Sequence, residues 1–123
     1  MVEVILTDEF LKWIEGLNGA QLKSVHHYLD LLEAKGVALG RPYSGTIAGS
    51  KHAMRELVIQ AEGNPLRAFY VFDPKREAIV LTGGDKTGDE NFYVRMIPIA
   101  DRIYDQYLAE QAAGEPKEEE EKR

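Results

Sequence analysis

The sequence predicts an α+β domain: an N-terminal strand and a helical hairpin packed on a small antiparallel sheet, with a C-terminal helix to close it. Three observations predict this. Leu22, Val25, Leu29 and Leu32 recur at spacings of three and four, which gives a helix one apolar face. Between Ala53 and Thr82 lie three apolar runs separated by short polar turns, the pattern of an antiparallel meander. Phe92, Met96, Ile99, Ile103 and Tyr107 then return to helical spacing. A chain of 123 residues suits one domain and can bury a core without disulfide staples.

The elements follow in order. Val2 to Leu6 alternates and then turns apolar, which predicts a first strand. Thr7 and Asp8 can cap a short helix over Glu9 to Leu17, with Asp8 and Glu9 placed where the helix N-terminus favours negative charge. Asn18 begins a second cap, and Gln21 is positioned to reach back to it. The helix that follows ends at Gly36. Together the two helices need a sheet to cover their apolar stripes.

Residues 36–52 read as a loop rich in Gly, Pro and Ser. Strand character resumes over Ala53 to Gln60, and Glu62-Gly63-Asn64-Pro65 turns the chain. Leu66 to Phe72 is the clearest strand, interrupted only by Arg67. Asp73 to Arg76 turns again, and Ala78 to Thr82 returns. The first strand is expected at an edge of this meander. Gly83 to Asp89 reads as a glycine-rich loop, with positive φ at its glycines and Asp89 capping the next helix. That helix is expected from about Asp89 to Glu110, kinked or restarted near Pro98. The predicted division is a domain over 1–112 and a charged, disordered tail over 113–123.

Composition narrows the function. There is no cysteine, which removes disulfides and thiolate metal sites. Three scattered histidines, His26, His27 and His52, do not make a zinc site, so no metal or other cofactor is expected. The start lacks a basic region followed by a long apolar run, so no signal peptide is expected. No apolar run approaches about 18 residues, so no membrane partner is expected either. The expected location is the cytoplasm. The net charge is −6; residues 115–123 hold five acids and three bases and so supply −2, leaving −4 on the body. Broad nucleic-acid binding wants a basic surface, so any nucleic-acid site on this chain must be local.

The candidate site is a short cationic group. Arg67 interrupts an apolar strand on the face opposite Leu66, Ala68, Tyr70 and Phe72. It either snorkels to the sheet edge or presents a cation to phosphate. Arg55 opens the preceding strand and could lie close to it, or pair with a surface glutamate. Lys86 stands in the glycine-rich loop beside a helix start, a setting that suits an anion, although neither phosphate-loop spacing is present. Phe92 and Tyr93 point in different directions, so one can enter the core while the other stacks on a base. His52 can titrate near neutrality and neighbours Lys51.

The segments Met54-Arg55-Glu56-Leu57, Leu66 to Pro74, Gly83 to Asp89, Phe92-Tyr93 and Ile97 to Tyr104 together resemble the phage-derived, HigB-like branch of the RelE/ParE toxin superfamily. The resemblance covers roughly residues 1–110 and implies a RelE-like fold. It also implies the toxin half of a type II toxin–antitoxin pair: a ribosome-dependent mRNA interferase. In such enzymes, which use no metal, the RNA 2′-hydroxyl attacks its own adjacent phosphate. By this resemblance Arg67 and Lys86 would meet the scissile phosphate, Arg55 would help, and Tyr93 would stack or orient. Lys51, His52, Arg55 and Phe92 would contact RNA. The implied partners are a HigA-like helix-turn-helix antitoxin, the ribosome and mRNA. One departure stands out: members of this branch often read Glu-Leu-Arg where this chain reads Glu56-Leu57-Val58. Two alternatives remain open at this stage. One is a non-enzymatic, ParE-like binder of DNA gyrase; the other is a nucleotide-binding module built on the lysine loop.

Overall fold

The computed structural model describes the backbone of residues 1–121 and the side chains of residues 1–114. Its elements are β1 (Val4–Leu6), α1 (Asp8–Glu15), α2 (Gly19–Lys35), β2 (Ser44–Thr46), β3 (Arg55–Ala61), β4 (Asn64–Phe72), β5 (Ala78–Asp85) and α3 (Phe92–Glu121), with a 3₁₀ turn at Gly36–Ala38 after α2. Five strands form one sheet in the order β1-β5-β4-β3-β2. The strands β2 to β5 are antiparallel neighbours, whereas β1 lies parallel to β5 at the edge. The predicted edge strand, helical hairpin, meander and C-terminal helix are all present.

Helices cover both faces of the sheet, and the alternation of β4 assigns its side chains between them. Leu66, Ala68 and Tyr70 pack with Phe10, Val25, Leu29 and Leu32 of α1 and α2. Phe69 and Val71 pack with Phe92, Met96, Ala100 and Tyr104 of α3. A strand buried on both faces reads as a nearly continuous apolar run, which is why β4 is so clear in the sequence. Helix starts also follow the sequence signals. The Thr7 side chain accepts from the Phe10 amide, and Asn18 with Gln21 forms a reciprocal capping box.

Four features differ from the sequence-based expectation. A short strand, β2, lies inside the segment read as a loop; three residues are too few for an alternation to show. Gly83 and Gly84 are not loop residues but part of β5, which runs on to Asp85. Of the glycines in this stretch, only Gly88 has positive φ, at 64°. The other two serve close approach: a Cβ on Gly83 would lie 2.5 Å from the Trp13 ring of α1, and one on Gly84 would lie 2.8 Å from the Phe92 ring of α3. Finally, α3 begins at Phe92 and passes through Pro98 without ending. Pro98 and Val94 are both exposed, so the carbonyl that proline leaves unpaired faces water. The backbone of α3 continues past residue 113, where the disordered tail was expected to start. The side chains of 115–123 lie outside the described residues.

Candidate functional site

Cross-strand register decides which candidate residues share a face. Arg67 on β4 is paired with Val58 on β3 and with Gly84 on β5, so all three look toward α3. Glu56 sits two residues from Val58 and shares that face. Arg55 is paired with Tyr70 and therefore looks the other way. A bulge at Phe69/Tyr70 lets β5 change phase, so that Gly84 meets α3 while Gly83 meets α1.

Arg67 and Glu56 are both only 7% exposed. The Arg67 Nη1 donates to its neighbour's carbonyl, that of Leu66, at 2.9 Å. Its Nε lies 3.6 Å from the Glu56 Oε1, too far for a hydrogen bond, and is buried with no acceptor. The Glu56 oxygen is instead taken by the Tyr93 hydroxyl, which donates to it at 2.8 Å. Desolvation raises the Tyr93 pKa most; the bond to Glu56 raises it further, and Arg67 acts in the opposite sense. Tyr93 is therefore a proton donor at neutral pH, not a base.

Lys86 completes the group. Its backbone amide donates to the Pro65 carbonyl at 3.1 Å, which fixes the residue just past the end of β5. Its ammonium lies 5.4 Å from the centre of the Tyr93 ring, within cation–π range. Among the described residues no carboxylate pairs with Lys86. The neighbouring Asp85 is occupied by the Thr87 amide and hydroxyl, and Asp89 pairs with Arg95. Tyr93 thus bridges two cations: its hydroxyl end reaches the Arg67–Glu56 pair, and its ring lies under Lys86. The buried Arg67 Nε without an acceptor thus lies in one group with a partly exposed lysine and tyrosine.

Other candidates lie elsewhere. Arg55, on the opposite face, donates to the Tyr70 hydroxyl at 3.3 Å and to the Leu39 carbonyl at 3.1 Å. Phe92 is buried, stacked on Phe69 and pressed against Gly84, so it is a core residue. Lys51 and His52 both bind Asp105 of α3, at 2.6 and 2.8 Å. The Lys51 bond, then the His52 bond, hold the Asp105 carboxyl below its usual range. Asp105 is twelve residues along α3 from Tyr93, about 18 Å at 1.5 Å per residue. These four were expected at the RNA; the structure gives Arg55, Lys51 and His52 structural partners away from Arg67, and packs Phe92 in the core beside Gly84, the register partner of Arg67.

Two residues are absent from the candidates the sequence offers: Glu56, which holds Arg67 and Tyr93, and Arg41. The exposed Arg41 lays its guanidinium over Gly45, where an added Cβ would sit 2.9 Å from Nη2. Gly45 is the register partner of Glu56, so Arg41 approaches the Glu56 side of the sheet. The only signal was a glycine in a segment without strand alternation, which is too little to find it. Among the described residues no group of three or more His, Asp or Glu is placed to hold a metal ion, and no helix is long and apolar enough to cross a membrane.

Residues 12–105 match the family described as Phage derived protein Gp49-like. The chain belongs to this family. It is 40% identical over 113 residues to a Mycobacterium tuberculosis protein named "Putative toxin HigB3", an alignment that covers 90% of this chain and 97% of the other. It is 34% identical over 114 residues to "Putative toxin HigB2" of the same organism, covering 90% of this chain and 57% of that one. A looser likeness, with a TM-score of 0.46 and 15% identity, is to a structure titled "Crystal structure of metal-bound toxin from Helicobacter pylori", covering 71% of this chain and 97% of that one. The HigB-like resemblance drawn from the sequence is borne out. This Gp49-like protein belongs with the HigB-type toxins of toxin–antitoxin systems.

Proposed function

We propose that this Gp49-like toxin is an mRNA endonuclease that acts on translating ribosomes and is held in check by a HigA-like helix-turn-helix antitoxin. The observation that carries this reading is the buried Arg67 Nε with no acceptor, set beside Tyr93 and Lys86. In this reading a phosphodiester oxygen meets the small exposed part of the guanidinium, whose charge Glu56 only partly offsets.

In this reading the RNA 2′-hydroxyl forms a bond to the adjacent phosphorus and the bond to the 5′ oxygen breaks. The products are a 2′,3′-cyclic phosphate and a 5′-hydroxyl. Arg67 and Lys86 stabilise the added negative charge on the phosphoryl oxygens, and fixed cations at developing charge are commonly the largest catalytic contribution. Glu56, adjacent to Arg67, takes the 2′-hydroxyl proton. Tyr93, kept protonated by its surroundings, gives its proton to the leaving 5′ oxygen and recovers one from Glu56, to which it is hydrogen-bonded.

The test is induced expression with mapping of messenger 5′ ends. Wild type should stop growth and cut mRNA at discrete positions within reading frames. Arg67→Ala and Lys86→Ala should each lose roughly 100-fold in cutting, about 3 kcal/mol of transition-state stabilisation. If both variants cut like wild type, the site is wrong.

A second reading, a non-enzymatic ParE-like toxin that binds DNA gyrase, draws on Val58. An uncharged residue is the direct cross-strand partner of Arg67, and Glu56 offsets part of the Arg67 charge. Intact mRNA together with a supercoiling defect would favour it.

A further inference from the structure

The cleft at the open edge of β3 is not used by the proposed phosphate site. It encloses about 450 Å³ and is lined by Tyr28, Arg41, Pro42, Tyr43, Val58 and Gln60. We propose that this cleft receives an RNA nucleobase next to the phosphate held at Arg67. The inference rests on the nuclease reading and deepens it, because it names the part of the protein that selects where the RNA is cut.

Four observations converge on it. First, the cleft spans the edge of the sheet: Tyr28 enters it from α2, while Val58, the register partner of Arg67, lines it from the face that carries Arg67. Second, the walls are aromatic and flat. The Tyr28 and Tyr43 rings meet edge to face, 6.3 Å apart, and Tyr43 is 43% exposed, leaving ring surface free for stacking. Third, the lining contains no acid on a chain whose body carries a net charge of −4, and its one charged residue is Arg41. Among the described residues Arg41 has no ion-pair partner, so its guanidinium can take a flanking phosphate. Fourth, Gln60 is an exposed amide at the rim, able both to donate to a base edge and to accept from one.

The local backbone holds this arrangement in place. The Val58 amide donates to the Tyr43 carbonyl at 2.9 Å, tying the Tyr43 turn to β3 just before β2 begins. Because β2 starts only at Ser44, β3 has no strand beyond it at Gln60, and the cleft opens there. The chemistry of the occupant follows: a planar ring stacked on the exposed face of Tyr43, an edge read by an amide, and an anionic backbone beside an arginine.

The experiment compares wild type, Tyr43→Ala, Tyr43→Phe and Gln60→Glu. Each is induced in cells, 5′ ends of cut messages are sequenced, and base frequencies on either side of the cut are counted. Thermal melting of each purified chain establishes that it folds. Tyr43→Ala should cut the preferred sites about tenfold less, as expected for one lost stacking partner, and Tyr43→Phe should restore cutting. Gln60→Glu should still cut but with a changed base distribution beside the cut. Wild-type cutting with the same rate and base pattern in the folded Tyr43→Ala and Gln60→Glu chains overturns the subsite and leaves the nuclease reading standing. The same unchanged pattern with lost rescue by the antitoxin would assign the cleft to the antitoxin, and also overturns the proposal. No cutting by wild type sinks the nuclease reading, and the subsite falls with it.

Discussion

Tyr93 joins the two halves of the site through opposite ends of one side chain. Its hydroxyl satisfies the buried Glu56, which would otherwise hold an unpaired oxygen, and its ring supports the Lys86 ammonium. Tyr93→Phe keeps the ring and removes the hydroxyl. Stability at neutral pH should fall by about 1 kcal/mol, at the low end for a bond to a charged group because the ring is only partly buried. The folded-state pKa of Tyr93 is raised, chiefly by burial, so its contribution is fully present below the unfolded value near 10.0 and is lost as pH rises through the folded value. Chemical denaturation at pH 7 and above pH 10 should therefore show the difference between wild type and Tyr93→Phe shrinking at the higher pH. A difference that stays constant would mean that the folded state does not raise the Tyr93 pKa. In the proposed reaction the same variant loses its proton donor, so slower cutting with an unchanged cut pattern is expected.

At the level of elements, the paired glycines of β5 set how closely the layers approach. Gly83 admits Trp13 from one side and Gly84 admits Phe92 from the other, so α1 and α3 both press on the end of β5 that leads to Lys86. Gly83→Ala would place a methyl group 2.5 Å from the indole, so the Trp13 ring or the strand that carries the methyl must shift. Overpacking of this kind costs about 1–3 kcal/mol, which should appear as a lower melting temperature. Unchanged melting would show that Trp13 can move aside. The sequence pattern points to the right residues for a different reason: it places the pair in a turn, whereas neither Gly83 nor Gly84 has positive φ and, between Gly83 and Asp89, Gly88 alone does. A glycine that relieves backbone strain and one that admits a ring look alike in a single sequence, because only the neighbouring element distinguishes them. Arg55 misled for a related reason. Its proximity to Arg67 depends on strand register, and one residue of shift moves a side chain to the other face.

At the scale of the whole molecule, charge argues for help from a larger partner. A net charge of −4 on the body repels free RNA, and the cationic site is limited to Arg67, Lys86 and the nearby Arg41. Capture by electrostatics alone is therefore weak, and a ribosome that presents the message would supply most of the binding. Removing the start codon and ribosome-binding site from a reporter should abolish cuts in that message while cuts in translated messages persist. Equal cutting of the untranslated reporter would remove the ribosome from the proposal.

The amino-acid sequence by itself determined the α+β class, the hairpin caps and the meander, and it singled out Arg67, Lys86 and Tyr93 as candidates. Those follow from local periodicity, capping chemistry and a charge in an apolar strand, all properties of short stretches. Tertiary structure alone decided that β1 runs parallel to β5, that Lys51 and His52 belong to Asp105, that Phe92 is core, and that Arg41 and the tyrosine cleft stand beside Val58. Each of these depends on contacts between residues far apart in the chain, where register and layer packing choose the partners.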